Sequence, residues 1–255
     1  MELDERLVEA YNNISEAGYN CDEEEHEKYK QELLQLEIDD AEQLYIIAQH
    51  FMHGLGEYDI AKALLLKIQH DNAFYGQSCI VLSDIERYGY ENYEGAFKVL
   101  DEAIANGAAK DNVLFAKARI YVDIEEYQSA LDCLDEIDAT KIENYANVLN
   151  WYLVVYTRME NTDLVKEKFD LAEQHYSEDV SYPSVIIRYA KFLKEQQQYS
   201  EALAVLAKMP PLVLEYLEAL DEYAAIYRLL EDEQQAGKYQ KWKHVLEKIG
   251  QLMVK

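Results

Sequence analysis

The side chains with reactive groups in this sequence are a pair of histidines, three cysteines and many carboxylates. His50 and His53 are three residues apart, a spacing that could place two metal ligands on one helix face. No third ligand is evident near them, since Asp59 lies beyond a turn, and we interpret them as a polar or half-buried pair. The chain has 50 Asp and Glu residues, so pairs of carboxylates are expected on solvated helix faces and do not indicate acid–base catalysis.

The cysteines do not form a recognisable disulfide or zinc pattern. Cys21, Cys79 and Cys133 are odd in number, far apart and without CxxC spacing. We expect them to be small buried hydrophobic residues in a reducing compartment. No GxGxxG, GxxxxGK[ST], HExxH or GxSxG motif occurs. The sequence therefore predicts no enzyme activity, no cofactor and no metal.

Composition and charge favour an all-helical acidic protein. The 255 residues include 49% hydrophobic residues but only 9 Gly and 3 Pro, which favours helices joined by short turns. A formal charge of -26 argues against nucleic acid, because affinity for phosphates comes largely from basic side chains. It could steer a basic partner instead. The charged N-terminal segment and the lack of a long apolar run predict a cytoplasmic protein without membrane insertion.

An internal period sets the architecture. A Tyr stands three residues before an Ala in four places. We use this Ala as a marker of the repeat, and two further markers continue the same spacing. The six markers are Ala61, Ala96, Ala130, Val165, Ala202 and Ala236, with spacings of 35, 34, 35, 37 and 34. Residues at the same offset from each marker form a column, and the columns at helical offsets are mostly apolar. The exceptions concentrate in the second copy, at Arg87, and in the last helix, at Gln240 and Lys243.

At these residues the chain resembles the tetratricopeptide repeat family, whose unit is about 34 residues. The third copy matches best, at Leu114, Ala118, Tyr121, Ala130 and Leu134. The resemblance covers roughly residues 40 to 250, but the first-helix Trp is missing, Ala or a larger residue replaces the Gly, and the closing Pro occurs only at Pro210. The segment 93–107 also resembles Sel1-like repeats, which are slightly longer, and the spacing favours the tetratricopeptide alternative.

The resemblance implies an all-α, right-handed α-solenoid of antiparallel helix pairs, about fourteen helices in a superhelix. We expect one continuous domain. Residues 1–39 would be a capping helix pair or a worn seventh repeat, and residues 40–255 six repeats whose last helix caps the array.

In this family the first helix of each pair lines the concave face, which places a peptide groove across the third to fifth copies. Amide and basic side chains there would favour an acidic segment or a C-terminal carboxylate. The lysine and asparagine carboxylate clamp of some members is not reproduced, because Phe115 and Asn147 stand where lysine would be needed. The groove positions are Asn112, Phe115 and Arg119, then Asn147, Asn150, Trp151 and Arg158, then Ser184, Ile187, Arg188 and Lys191.

The two ends of the chain carry opposite charge. Residues 1–40 hold 14 acids and three bases, whereas residues 234–255 hold five Lys and one Glu. The last helix should place Tyr239, Trp242, Leu246, Ile249 and Met253 on one side. Either this helix is the cap of the array, with lysine stems over apolar surface, or it makes peripheral contact with an anionic membrane or an acidic partner.

The sequence therefore predicts a non-catalytic adaptor or scaffold that binds a protein or peptide segment in a concave groove. The alternative is a structural subunit of a stable hetero- or homo-oligomeric assembly, including a homodimer. Its acidic surface, rich in the chain's 22 tyrosines, would then hold a basic partner.

Overall fold

The computed structural model describes residues 4–210 and 215–253, with only the backbone for residues 250–253. Within these residues the secondary structure is entirely helical, with fourteen α-helices and no strand, as the sequence predicts. Two five-residue π-helical turns, Phe51–Leu55 and Ile85–Gly89, extend α3 and α5. The α-helices are α1 Glu5–Tyr19, α2 Glu23–Gln35, α3 Ala41–His50, α4 Tyr58–Leu65, α5 Tyr75–Asp84, α6 Tyr93–Ala105, α7 Lys110–Asp123, α8 Tyr127–Asp135, α9 Tyr145–Arg158, α10 Thr162–His175, α11 Tyr182–Glu195, α12 Tyr199–Leu206, α13 Tyr216–Leu229 and α14 Glu233–Met253.

The chain forms two compact units, Met1–Ile120 and Tyr121–Lys255. In the first unit, α1 packs on α2, α3 on α4 and α5 on α6. In the second unit the hairpins are α9 with α10, α11 with α12 and α13 with α14. Six hairpins therefore follow one another in chain order, three in each unit, and the boundary between the units falls within α7. The single continuous array with its two caps stays a prediction.

The first helices of successive hairpins are neighbours in the second unit. Helix α11 packs against α9 on one side and against α13 on the other. Side chains from three first helices thus share one surface, which belongs to the fourth to sixth copies. The groove across the third to fifth copies stays a prediction.

The six markers lie in the second helices α4, α6, α8, α10, α12 and α14, and all are buried. Ala61, Ala96, Ala130, Val165 and Ala202 are 0% exposed, and Ala236 is 1% exposed. A small side chain allows neighbouring helices to approach closely. The tyrosine before the marker also packs tightly: a Cβ added at Gly89 would lie 2.8 Å from Cγ of Tyr58, so only glycine fits there.

One turn geometry recurs in the seven helix pairs of the described residues, which are the six hairpins and the consecutive helices α7 and α8. A residue in the left-handed region stands between the two helices, and in six of these pairs it precedes the marker by five positions. The next residue donates its backbone N–H to a carbonyl five residues back, or six where a π-helical turn intervenes, which caps the first helix. The left-handed residues are Cys21, Gly56, Glu91, Glu125, Glu160, Gln197 and Glu231, with φ between 51° and 72°.

The first hairpin shares this turn even though it carries no recognisable marker. Asp22 donates its N–H to the Ala17 carbonyl over 2.9 Å, as its counterparts do in the other helix pairs. Cys21 is exposed at this turn, whereas Cys79 is buried and Cys133 is half-buried. The expectation that all three cysteines are buried is wrong for Cys21, because the left-handed residue of each turn projects from the end of a hairpin.

The exception at Arg87 in the second copy has a local cause. The π-helical turn buries two charged residues side by side, Glu86 at 7% and Arg87 at 3% exposure. Nη1 of Arg87 lies 3.7 Å from Oδ1 of Asp84, and the guanidinium lies 4.4 Å from the ring centroid of Tyr88. A paired and stacked arginine therefore occupies a position that is tyrosine, leucine or methionine in the other copies.

Candidate functional site

The predicted groove residues fall in both compact units. Asn112, Phe115 and Arg119 lie on α7 within the first unit, and the others lie on α9 and α11 in the second. Asn112 is exposed at the mouth of a cavity of about 260 Å³ near the start of α5 and α7, and Phe115 is half-buried. Nη2 of Arg119 lies 3.4 Å from Oδ1 of Asp84 on α5, which partly neutralises it.

On α9 and α11 the predicted residues divide into buried and accessible positions. Asn150 is 8% exposed and Ile187 is 4% exposed, because α9 and α11 pack side by side and cover these positions. The remaining residues form the accessible surface. Asn147, Trp151, Ser184 and Lys191 are half-buried, and Arg158 and Arg188 are exposed.

Arg158 on α9 and Arg188 on the neighbouring helix α11 are near enough for their charges to interact. Nε of Arg188 donates to Oδ1 of Asn150 over 3.5 Å. Surrounding protein partly desolvates this guanidinium and lowers the pKa of Arg188. The charge of Glu218 raises this pKa and so opposes the desolvation, while the charge of Arg158 lowers it and that of Glu195 raises it, both more weakly than Glu218. An arginine stays protonated at neutral pH despite such a shift, so the two positive charges persist and repel each other.

Lys191 is neutralised by the next helix. Its Nζ lies 2.5 Å from Oε1 of Glu218 on α13, and Nζ of Lys194 lies 2.5 Å from Oε2 of Glu222. Neither Arg158 nor Arg188 makes an ion pair within 4.0 Å in the part of the chain that the structure describes. The net positive charge of this surface is therefore concentrated on the two arginines, which we call the arginine pair.

The carboxylates on α13 escaped the sequence analysis although a signal was present. Glu218 stands eighteen residues before its marker, the same offset as Asn147 and Ser184, and Glu222 has the offset of Trp151 and Arg188. Extending the groove offsets to the sixth copy would have found both.

The last helix does not present the predicted apolar side. The ring of Tyr239 stacks on Tyr223 of α13, with centroids 4.5 Å apart, and Leu246 is half-buried. Trp242, Val245 and Ile249 are instead exposed, at 51%, 54% and 47%. The predicted stripe therefore splits into a side that contacts α13 and a solvent side, and the side chain of Met253 lies outside the described residues.

His50 and His53 are both exposed. No group of three or more His, Cys, Asp or Glu side chains in residues 4–210 and 215–249 is placed to hold a metal ion. None of the helices that the structure describes has the length and apolar character needed to cross a bilayer.

Comparison with known proteins confirms the tetratricopeptide resemblance. The chain is 32% identical over 137 residues to a tetratricopeptide repeat-containing protein, YpiA of Bacillus subtilis (strain 168). The match covers 53% of this chain and 30% of that protein, so the chain spans under a third of its relative's length. No protein-family model matches the chain.

Two solved structures share the fold. PilF of Pseudomonas aeruginosa aligns with a TM-score of 0.58 and 17% identity, covering 80% of this chain and 91% of PilF. A tetratricopeptide repeat protein from Parabacteroides merdae ATCC 43184 aligns with a TM-score of 0.53 and 16% identity, covering 80% and 79% of the two chains. The all-α helical repeat fold is therefore established.

Proposed function

We propose that the chain is a non-catalytic interaction module that binds an acidic protein segment on the first-helix surface of α9, α11 and α13. The arginine pair supports this most directly. Two exposed guanidiniums that form no ion pair within 4.0 Å among the described residues lie on adjacent helices of a chain whose formal charge is -26. Holding two like charges together costs free energy that a bound carboxylate would recover.

The chemistry of this surface suits binding. Guanidinium groups grip carboxylates with two parallel hydrogen bonds, and the Asn147 amide can pair with an extended peptide backbone. Trp151 is half-buried on the same helix and offers an apolar contact. These groups bind strongly, but they neither donate nor accept a proton readily near neutral pH. This supports an adaptor or scaffold role over catalysis.

Fluorescence polarisation with a short labelled peptide of Asp and Glu residues tests the proposal. Arg158→Glu with Arg188→Glu should weaken binding at least about tenfold, since each lost charged contact costs about 1.5–3 kcal/mol. Lys166→Glu is the control for the change of charge, because Lys166 is exposed on the second helix α10, outside the proposed surface. Equal affinity of the double variant and the wild type would refute the arginine pair as the binding site.

A second peptide separates the two acidic ligands that the surface could accept. Amidation of the C-terminus removes one carboxylate and leaves the side chains intact. A large loss of affinity on amidation indicates recognition of a chain end, whereas an unchanged affinity indicates recognition of an internal acidic segment.

A further inference from the structure

The solvent side of α14 carries a contiguous apolar stripe bordered by lysines. Trp242, Val245 and Ile249 are separated by three and four positions, so they share one helix face, and each is about half exposed. Nζ of Lys238 lies 5.7 Å from the Trp242 ring centroid. Lys241 and Lys248 are exposed beside the stripe. Exposed apolar residues grouped in this way typically mark an interaction site.

The stripe is distinct from the face that joins one hairpin to the next. In α6 that face carries Leu100 and Ala103, four and seven residues after the marker, and both are 0% exposed. The equivalent residues of α14 are Gln240, which is exposed, and Lys243, whose Nζ lies 2.5 Å from Oδ2 of Asp221. The apolar residues of α14 are therefore displaced from the positions that build the repeat core.

A groove of complementary character lies between α1 and α2. It has a volume of about 220 Å³, and its apolar lining is formed by Ala10, Tyr29, Leu33 and Leu36. Glu9 and Glu32 also line it, and both are exposed. Oε1 of Glu32 lies 4.0 Å from Nζ of Lys28, an exposed contact that is too weak to hold the carboxylate. Arg6 lines the groove too, but its Nη2 lies 2.6 Å from Oδ2 of Asp4, which neutralises its charge.

Charge complementarity connects the two surfaces. Residues 1–40 carry a net charge of -11, from 14 acids and three bases, and residues 234–255 carry +4, from five Lys and one Glu. The groove has an apolar floor and acidic rim, and the stripe has an apolar centre and a basic border. Opposite charges of this kind steer encounter and set the register of docking.

We propose that the chain self-associates head to tail, with the stripe of α14 in one copy docked in the groove between α1 and α2 of a second copy. Trp242 enters the groove, and Lys238 and Lys241 face Glu9 and Glu32. Each copy offers one stripe and one groove, so the contact is heterologous and adds further copies unless the assembly closes into a ring. The proposal uses different surfaces from the arginine pair and is independent of the proposed function.

Sedimentation velocity over a range of protein concentrations tests the proposal. The weight-average mass of the wild type should rise with concentration, and added salt should reduce it because salt screens exposed charges. Trp242→Ala should remain monomeric because it loses the stripe. Glu9→Lys with Glu32→Lys should remain monomeric because it loses the groove. Val180→Ala, at an exposed apolar residue elsewhere, should behave as the wild type.

Mixing the two monomeric variants gives the sharpest result. The Trp242→Ala protein keeps its groove and the Glu9→Lys, Glu32→Lys protein keeps its stripe, so the mixture should form a one-to-one dimer and nothing larger. Circular dichroism checks that each variant is folded. A wild-type mass that stays at that of one chain at every concentration overturns the proposal. Co-sedimentation of a monomeric wild type with phosphatidylserine vesicles would assign the stripe to an anionic membrane instead.

Discussion

Lys62 and Glu86 form an ion pair between two successive hairpins of the first unit, with Nζ of Lys62 2.5 Å from Oε1 of Glu86. The second carboxylate oxygen of Glu86 accepts a hydrogen bond from Nδ2 of Asn92 at 2.8 Å. The Glu86 side chain is 10% exposed and that of Lys62 is 37% exposed. Glu86 is therefore a buried carboxylate with both oxygens satisfied, held by the π-helical turn that follows α5.

Replacing Glu86 with alanine should destabilise the protein by about 2–3 kcal/mol. The change leaves Lys62 and Asn92 without their acceptor and opens a small cavity, although the exposure of Lys62 moderates the cost. Chemical denaturation measures the free energy of unfolding. Glu102→Ala is the control, because Glu102 and its partner Lys98 are exposed and 4.0 Å apart, and it should cost under about 0.5 kcal/mol.

Because the markers are buried, the effect of an Ala→Leu substitution on stability should depend strongly on its position in α6. Ala96 is 0% exposed, whereas Ala105 at the end of α6 is exposed. Ala96→Leu should destabilise by about 1–3 kcal/mol, because the added atoms force neighbouring helices apart. Ala105→Leu should change stability by less than about 0.5 kcal/mol. Similar unfolding midpoints for the two variants would show that the marker is not a close-packing position.

The left-handed turns predict that a Glu→Asn substitution stabilises the protein at a turn and destabilises it within a helix. Glu160 has φ 56°, which is strained for glutamate, and asparagine tolerates that region better. Glu160→Asn should therefore stabilise by a few tenths to about 1 kcal/mol. The same change at Glu167, exposed within α10, should destabilise by about 0.5 kcal/mol because asparagine is a poor helix former. Thermal melts of the two variants would show the contrast.

At the equivalent turn residue Gly56, a substitution should introduce backbone strain instead of relieving it. Its φ is 72°, and an added Cβ would meet nothing within 4 Å. Gly56→Ala should thus cost about 1 kcal/mol through backbone strain alone, without any steric contact. An unfolding free energy equal to that of the wild type would contradict the left-handed geometry.

Buried tyrosines predict that stability falls at alkaline pH. Burial raises the pKa of Tyr182 to about 12, above the usual value near 10 for an unfolded chain. The folded state therefore holds the phenol proton more tightly. This contribution is complete below about pH 10 and is lost as the pH rises towards about 12. The melting temperature should fall across this window, and Tyr182→Phe should reduce that fall. A pH-independent difference between wild type and variant would exclude Tyr182 as a source.

The fold was predictable because its determinants repeat along the chain. A small residue every 34 to 37 positions and the apolar columns around it located every hairpin after the first. The π-helical turns were not predictable, since an added residue inside a helix leaves no clear trace in a degenerate pattern. Arg87 broke its column in the sequence, and the reason became visible only with Asp84 and Tyr88 around it.

The positions of the candidate site residues on the helices were predictable, but their burial and their ion pairs were not. Offsets within the repeat selected α9 and α11 and the residues of the arginine pair, and their role in binding stays a prediction. They could not show that Asn150 is buried, that Lys191 is paired with Glu218 or that Arg119 is paired with Asp84. These pairs join residues about 27 to 38 positions apart, and their formation depends on how successive hairpins pack.

Because the left-handed turn recurs, the chain can be divided into segments with equivalent ends. A segment that runs from one such residue to the next contains the second helix of one hairpin and the first helix of the following one. Duplicating or deleting that segment rejoins equivalent backbone at both cuts, with the capping hydrogen bond and the marker spacing preserved. Evolution or protein engineering could therefore lengthen or shorten this protein by whole units and leave the remaining junctions intact.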